Sequence, residues 1–312
     1  MKKLVFFLFL AGCASINQNP KVQTAAGGHD KKPPVAENAA PAFVNREYYF
    51  GDESVIGMVR YHKVRENESL IEIARMYNLG FNGISDANRG ADPFVPPTGL
   101  IVQVPTEWIL PDVKAREGIV INISEMRLYF FPRRNSNYVY TFPIGIGDDG
   151  KETPVGNFRV IQKKARPYWV VPKSIKQEDP NLPNVVPPGP DNPLGTHALR
   201  LSMPSVLIHG TNKPWGIGRK VSHGCIHLYP EDIPWLFDNV KTGTQVKIIR
   251  QPVKAGVRAN RVYLEVHDNG DMNYLREALA ILARKKLLER VDSSKVQQAV
   301  TERSGIPTVV SN

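Results

Sequence analysis

Cysteine is nearly absent: of 312 residues only Cys13 and Cys225 carry thiols, so no disulfide framework can hold the fold and a hydrophobic core must do so. Long apolar runs are missing too. Behind the basic Met1-Lys2-Lys3, the stretch Leu4–Leu10 is too short to span a bilayer and reads as an export signal. His223, Cys225 and His227 alternate and could share one face, but zinc sites draw ligands from spaced pairs and no second pair accompanies them, so no metal and no cofactor is called for. The net charge is +10, yet the basic residues are scattered and no nucleic-acid motif accompanies them. Nucleic acid is therefore excluded as a partner, and a carboxylate-rich one fits the charge better. Large apolar residues are almost lacking from Ala14 to about Pro41, a composition that cannot offset the entropy of ordering and reads as a tether.

What is present concentrates around Cys225. The segment Val221-Ser222-His223-Gly224-Cys225-Ile226-His227-Leu228 follows Val206-Leu207-Ile208-His209-Gly210-Thr211, and His209 lies sixteen residues ahead of the thiol. Isolated cysteines usually pack as small hydrophobes. A core strand, however, rarely tolerates Ser222, His223 and His227 together, since each needs a hydrogen-bond partner. Thiol and imidazole read as nucleophile and base, with His223 as the alternative base on residue types alone. The amides of His223, Gly224 and Cys225 are candidates for holding an oxyanion, with Ser222, Gly210 and His227 near the substrate. Gly210 follows His209 directly, so orientation of the imidazole has to come from a backbone carbonyl.

Ile208-His209-Gly210-Thr211-Asn212, Ser222-His223-Gly224-Cys225-Ile226 and Leu228-Tyr229-Pro230-Glu231-Asp232 resemble the L,D-transpeptidase family with its YkuD-type catalytic domain. Gly150-x-x-Thr153-Pro154-Val155-Gly156-Asn157-Phe158, Trp169-Val170-Val171-Pro172-x-Ser174-Ile175 and Asn192-Pro193-Leu194-Gly195 agree, and together they cover residues 117–250. The resemblance implies a cysteine acyltransferase acting on peptidoglycan tetrapeptide stems, with Cys225 as nucleophile and His209 as base. D-Ala would leave, and an amine of a second stem or a lysine of a wall-anchored lipoprotein would take the acyl group, giving 3-3 cross-links or an attached protein. Water as acceptor would make the protein an L,D-carboxypeptidase or amidase. A non-catalytic wall-binding lipoprotein is the remaining alternative, against which Cys225 and His209 together speak. Members usually carry Arg or Asn two positions after the cysteine, where this chain has His227. If His227 meets a donor carboxylate, its affinity should rise as pH falls through about 6.5.

Around this core the chain divides into a signal at 1–12, a linker at 13–59, a small unit at 60–108, the catalytic unit at 117–250 and an extension at 251–312. Leu10-Ala11-Gly12-Cys13 resembles a bacterial lipobox, which implies lipidation of Cys13, a membrane anchor and a periplasmic, outer-membrane lipoprotein. Residues 60–108 read as strand, helix, helix, strand, with Ser69 and Glu72 as a capping box. That order and Asp86-Ala87-Asn88 resemble a LysM module, which implies binding to wall glycan. Its removal should leave turnover of small soluble stems unchanged. The catalytic unit reads as mainly β, an antiparallel sandwich or open barrel with one packed helix over Glu231–Val240, and residues 179–193 as an extended loop. In the α/β extension, Arg261–His267 reads as a strand and Asp271 as the cap of a helix running to Glu289 whose apolar stripe packs on the catalytic unit.

Overall fold

The run Arg127-Leu128-Tyr129-Phe130-Phe131 is buried throughout, whereas a strand with one solvated face would alternate. Both of its faces are covered. Leu128 and Phe130 enter one core, Tyr129 and Phe131 another. The structure, a computed structural model, describes residues 46–132 and 137–312. The expected signal, Cys13 and the linker as far as residue 45 lie outside the described residues.

The first part comprises β1 (Glu47–Tyr49), β2 (Val55–Lys63), α1 (Leu70–Met76), α2 (Phe81–Ala87) and β3 (Ile101–Ile109). The central part holds β4 (Gly118–Asn122), β5 (Arg127–Phe131), β6 (Tyr138–Pro143), β7 (Ile146–Gly147), β8 (Gly156–Ala165), β9 (Trp169–Val170), α3 (Lys173–Glu178) and β10 (Val185–Val186). It continues with β11 (His197–Leu201), β12 (Leu207–His209), β13 (Lys220–Ser222), β14 (Ile226–His227), α4 (Ile233–Asn239) and β15 (Gln245–Ile249). The tail adds β16 (Val253–Arg258), β17 (Arg261–Val266), α5 (Tyr274–Arg284), α6 (Ser293–Glu302) and β18 (Thr308–Val309).

Nine strands form one sheet in the order β1-β6-β5-β4-β15-β8-β11-β12-β14. The expected mainly β class holds, but the sheet is mixed: β15 runs parallel to β4 and β12 parallel to β14. Parallel neighbours need a crossover, and neither parallel pair is consecutive in the chain; α4 lies in the connection from β14 to β15 and buries Ile233, Leu236 and the following Val240 in the first core. The expected linker also ends earlier than residue 59, because β1 pairs with β6 and Val55 already opens β2. Residues 179–193 are not wholly loop, since Val185–Val186 form β10 and pair with β9.

The small unit has the expected strand, helix, helix, strand order, with β2 and β3 antiparallel. Ser69 accepts from Glu72 N–H while the Glu72 carboxylate accepts from Ser69 N–H, the expected capping box. It does not stand apart, however. Leu70, Ile73, Ile84 and Val102 share one core with Val120, Tyr129, Phe131 and Val139 of the sheet. Buried Arg127 lies over the Trp108 ring at 4.0 Å and donates to the Asn78 carbonyl, and Arg75 meets Glu231 through two hydrogen bonds of 2.8 and 2.7 Å. Each fully buried aliphatic chain is worth roughly 1.5–3 kcal/mol, so this shared core is comparable with the whole stability of a domain, about 5–15 kcal/mol. Residues 60–108 supply much of the core on the second face of the sheet, so their removal should cost turnover of soluble stems as well, against the expectation from sequence.

In the tail, α5 begins at Tyr274 with Asn273 as its cap, not Asp271, because Asn273 Oδ1 accepts the Arg276 N–H at 2.9 Å. The helix ends at Arg284, short of Glu289. Its stripe of Tyr274, Ala278, Ile281 and Leu282 packs on the tail's own sheet of β16, β17 and β18 and on α6, not on the catalytic unit. Among the described residues no helix is long and apolar enough to cross a membrane.

Candidate active site

Ser222 to Cys225 forms a turn that only glycine suits at its third position. Gly224 has φ +96°, a conformation strained for any residue with a Cβ. Two hydroxyls lock this turn. Ser222 Oγ donates to the Cys225 carbonyl at 2.6 Å, and Thr153 Oγ1 donates to the Gly224 carbonyl at 3.2 Å while accepting the Gly147 N–H. Both residues are buried. Among the described residues the amides of His223, Gly224 and Cys225 donate to no backbone carbonyl, which leaves three donors clustered beside the sulfur.

The imidazole arrives from the neighbouring strand. In the parallel pair of β12 and β14, His209 stands opposite His227, and their rings lie 4.5 Å apart between centroids. Cys225 precedes β14 by one residue, so alternation sets it on the same face as His227 and hence as His209. His209 Nδ1 lies 2.6 Å from the Gly210 carbonyl oxygen. A carbonyl can only accept, so the ring proton sits on Nδ1 and the lone pair on Nε2. The start of β12 also reaches the thiol: Sγ is 3.7 Å from the Ser205 carbonyl, and the Leu207 amide donates to the sulfur.

Burial pushes the Cys225 thiol up, against the opposing pull of the Leu207 amide and the Arg200 charge. Burial likewise holds His209 well below the ordinary imidazole range, with the His227 ring adding to it. Both shifts favour the uncharged forms, a thiol and a neutral imidazole. Such a pair can act as nucleophile and general base without a metal ligand set.

Several site residues turn out differently from the sequence expectation. The Gly210 amide donates to His197 O, so it is no oxyanion donor; its carbonyl is the group that orients the imidazole. Ser222 is turned into the peptide turn and positions it, away from substrate. The His223 ring points outward to Glu178 of α3 at 3.0 Å and to Lys151 at 2.8 Å, which leaves only its amide near the thiol and removes it as an alternative base. Thr153, Leu207 and Arg200 were missed. Thr153 stood in a quoted motif without a role, and a backbone amide such as that of Leu207 has no residue-type signal.

His227 needs a correction of pH range. Burial drives its pKa down to about 4, so the ring should stay neutral through mildly acidic conditions and the gain expected below 6.5 should not occur. Donor KM for the unaltered protein should be flat between pH 5 and 8. A several-fold lower KM at pH 5 than at pH 8, abolished in His227→Arg, would show that the ring titrates higher and meets substrate.

A mainly β sheet that presents a thiol, a tautomer-fixed imidazole and three free amides on one rim defines a cysteine acyltransferase. The YkuD family, described as the L,D-transpeptidase catalytic domain, matches residues 116–248. A probable L,D-transpeptidase YcfS of Escherichia coli K12 is 40% identical over 273 residues, which cover 82% of this chain and 85% of that one. A probable L,D-transpeptidase ErfK/SrfK of Salmonella typhimurium LT2 is 39% identical over 259 residues, covering 78% and 83%. A solved L,D-transpeptidase from Mycobacterium smegmatis aligns with 48% of this chain and 63% of that chain at 22% identity and a TM-score of 0.34. The chain belongs to the L,D-transpeptidase family.

Proposed function

We propose that the protein transfers the acyl group of a peptidoglycan tetrapeptide stem through a thioester on Cys225. As the sulfur attacks the carbonyl carbon ahead of the terminal D-Ala, His209 Nε2 takes the thiol proton, and the amides of His223, Gly224 and Cys225 receive the developing oxyanion. The C–N bond breaks, the imidazolium returns its proton to the departing D-Ala amine, and the thioester remains. An acceptor amine, deprotonated by His209, attacks the thioester carbonyl and frees the thiol. One observation carries this reading above the others: the Nδ1 proton held by the Gly210 carbonyl leaves a basic nitrogen on the face that Cys225 shares. Incubation with tetrapeptide muropeptides and mass spectrometry of the products tests it. Dimers lighter by one D-Ala indicate an amine acceptor, tripeptides indicate water, and unchanged muropeptides would overturn the reading.

The small unit, in this reading, is a LysM module that holds wall glycan, and the protein works in the periplasm at the outer membrane, anchored by a lipid on Cys13. The Leu10-Ala11-Gly12-Cys13 segment supports the anchor. Cys13→Ser should move the protein from the membrane to the soluble fraction on cell fractionation, and membrane retention of that variant would rule the anchor out.

A further inference from the structure

The first two residues of a helix need partners for their N–H groups, and α2 has no side-chain cap to provide one. Its partners come from the segment that links His209 to Cys225. Phe81 N–H donates to the Ile217 carbonyl at 3.0 Å, and Asn82 N–H donates to the Gly218 carbonyl at 3.2 Å. Two glycines make this approach possible. A Cβ on Gly80 would lie 2.7 Å from Gly218 Cα, and a Cβ on Gly218, where φ is +79°, would lie 2.2 Å from Phe81 N. Arg219 then lays its guanidinium over the Phe81 ring at 3.7 Å, with its buried Nε and Nη2 lacking any hydrogen-bond partner. Stacking on the small unit is what holds that side chain.

From this crossing the chain runs without slack to the thiol. Gly218 N–H donates to Ile144 O, and Ile146 N–H to Arg219 O. Lys220 and Ser222 of β13 pair with Ile146 and Gly147 of β7, and Ser222 closes the turn on Cys225. The connecting segment is thus gripped between the sheet on one side and α2 on the other.

We infer that Gly80 and Phe81 of the small unit are positioning residues for the transpeptidase reaction, setting the Cys225 turn against His209 through the Ile217–Arg219 segment. This inference rests on the proposed pairing of Cys225 with His209. It gives the small unit a part in chemistry that is separate from any hold on glycan. A displacement of about 1 Å at reacting atoms can cost on the order of 100-fold in rate, and a methyl group at position 80 demands a shift of that size between two backbones.

The test uses the full chain and a soluble tetrapeptide donor without polymeric glycan. Gly80→Ala should lower kcat by roughly 10- to 100-fold with donor KM within about twofold, read on protein that a thermal melt shows to be folded at the assay temperature. The rate of Cys225 alkylation by iodoacetamide should also change its dependence on pH, because the sulfur and its base no longer meet in the same geometry. Gly83→Ala is the control on the same helix, since a Cβ there meets only the Leu79 Cδ2 at 3.8 Å; its kcat should equal that of the parent. Phe81→Leu should lose activity and Phe81→Tyr regain it, which keeps the inference testable if Gly80→Ala does not fold. Parental kcat in both Gly80→Ala and Phe81→Leu would overturn it, as would an equal loss in Gly83→Ala. Activity surviving in Cys225→Ala would instead overturn the proposed chemistry, so the two failures are distinguishable.

Discussion

Cys225→Ala is expected to abolish thioester formation and D-Ala release while leaving the fold intact. The exchange removes one sulfur from a half-buried position together with its 3.7 Å contact to the Ser205 carbonyl, while the Cys225 carbonyl that accepts from Ser222 and closes the turn is kept. His209→Ala should lower the rate by roughly 10²- to 10⁴-fold, the usual contribution of a general base. Because the thiol is pushed up and the imidazole down, alkylation of Cys225 in the parent should be slow at neutral pH and rise only above the ordinary thiol range. Fast alkylation at pH 6 would mean a thiolate–imidazolium pair at rest, contrary to the burial of both groups. Product formation by Cys225→Ala on mass spectrometry would remove the thiol from the mechanism.

Lys254→Met should produce the largest loss of stability. Lys254 is 1% exposed and its Nζ lies 2.9 Å from both Glu125 carboxylate oxygens and 2.8 Å from Glu265, itself fully buried. His267 adds a contact of 2.6 Å to Glu265. Glu125, Glu265 and His267 stand close enough together to suggest a metal ligand set, but the lysine ammonium occupies the centre and supplies the positive charge. The same cluster joins all three parts of the molecule, since Lys254 donates to Ile109 O at 2.7 Å and Glu265 accepts Ile109 N–H at 2.5 Å. Removing the cation leaves two buried carboxylates with hydrogen bonds but without their ammonium partner, a cost of about 3–5 kcal/mol that lowers the thermal midpoint by roughly 6–20 °C.

Its pH dependence follows from Glu265. Burial alone would raise that carboxyl, but Lys254 and His267 hold it below the usual carboxylate range. A depressed carboxylate stabilises the fold above its unfolded pKa of about 4.3, and the contribution is lost as pH falls through the lower folded value. The gap between Lys254→Met and the parent should therefore be widest at neutral pH and narrow below about pH 4. Thermal melts at pH 7 and pH 3.5 check this. A midpoint unchanged at pH 7 would mean that the ammonium contributes nothing to holding the three parts together.

Legibility along the chain followed the length and bounding of each element. Arg127–Phe131 and Gln245–Ile249 are strands of the kind that sequence makes legible, because apolar β-branched or aromatic runs with polar or turn residues at their ends leave little freedom in placement. The two-residue strands β7, β9, β10, β14 and β18 have no period to detect. Asp271 and Asn273 are both good helix caps by type, and only the backbone path decides which reaches an amide. Parallel pairing of β12 with β14 was equally invisible, since strand direction depends on the connections between strands.

Residue types by themselves determined the chemistry on offer: a lone thiol outside the N-terminal segment, a histidine on a nearby strand with a glycine after it, and a tight Ser-His-Gly-Cys turn. They also determined the strand and helix content, because alternation and capping act within a few residues. Tertiary structure decided which groups do the work at the rim. It turned His223 outward and Ser222 into its own turn, gave the Gly210 carbonyl to His209, and lowered His227 to about 4 by burial. It also merged the small unit into the sheet's second core and set Gly80 against Gly218. Burial and backbone-to-backbone contact depend on what the rest of the chain brings to the same place, so no local stretch of sequence carries them.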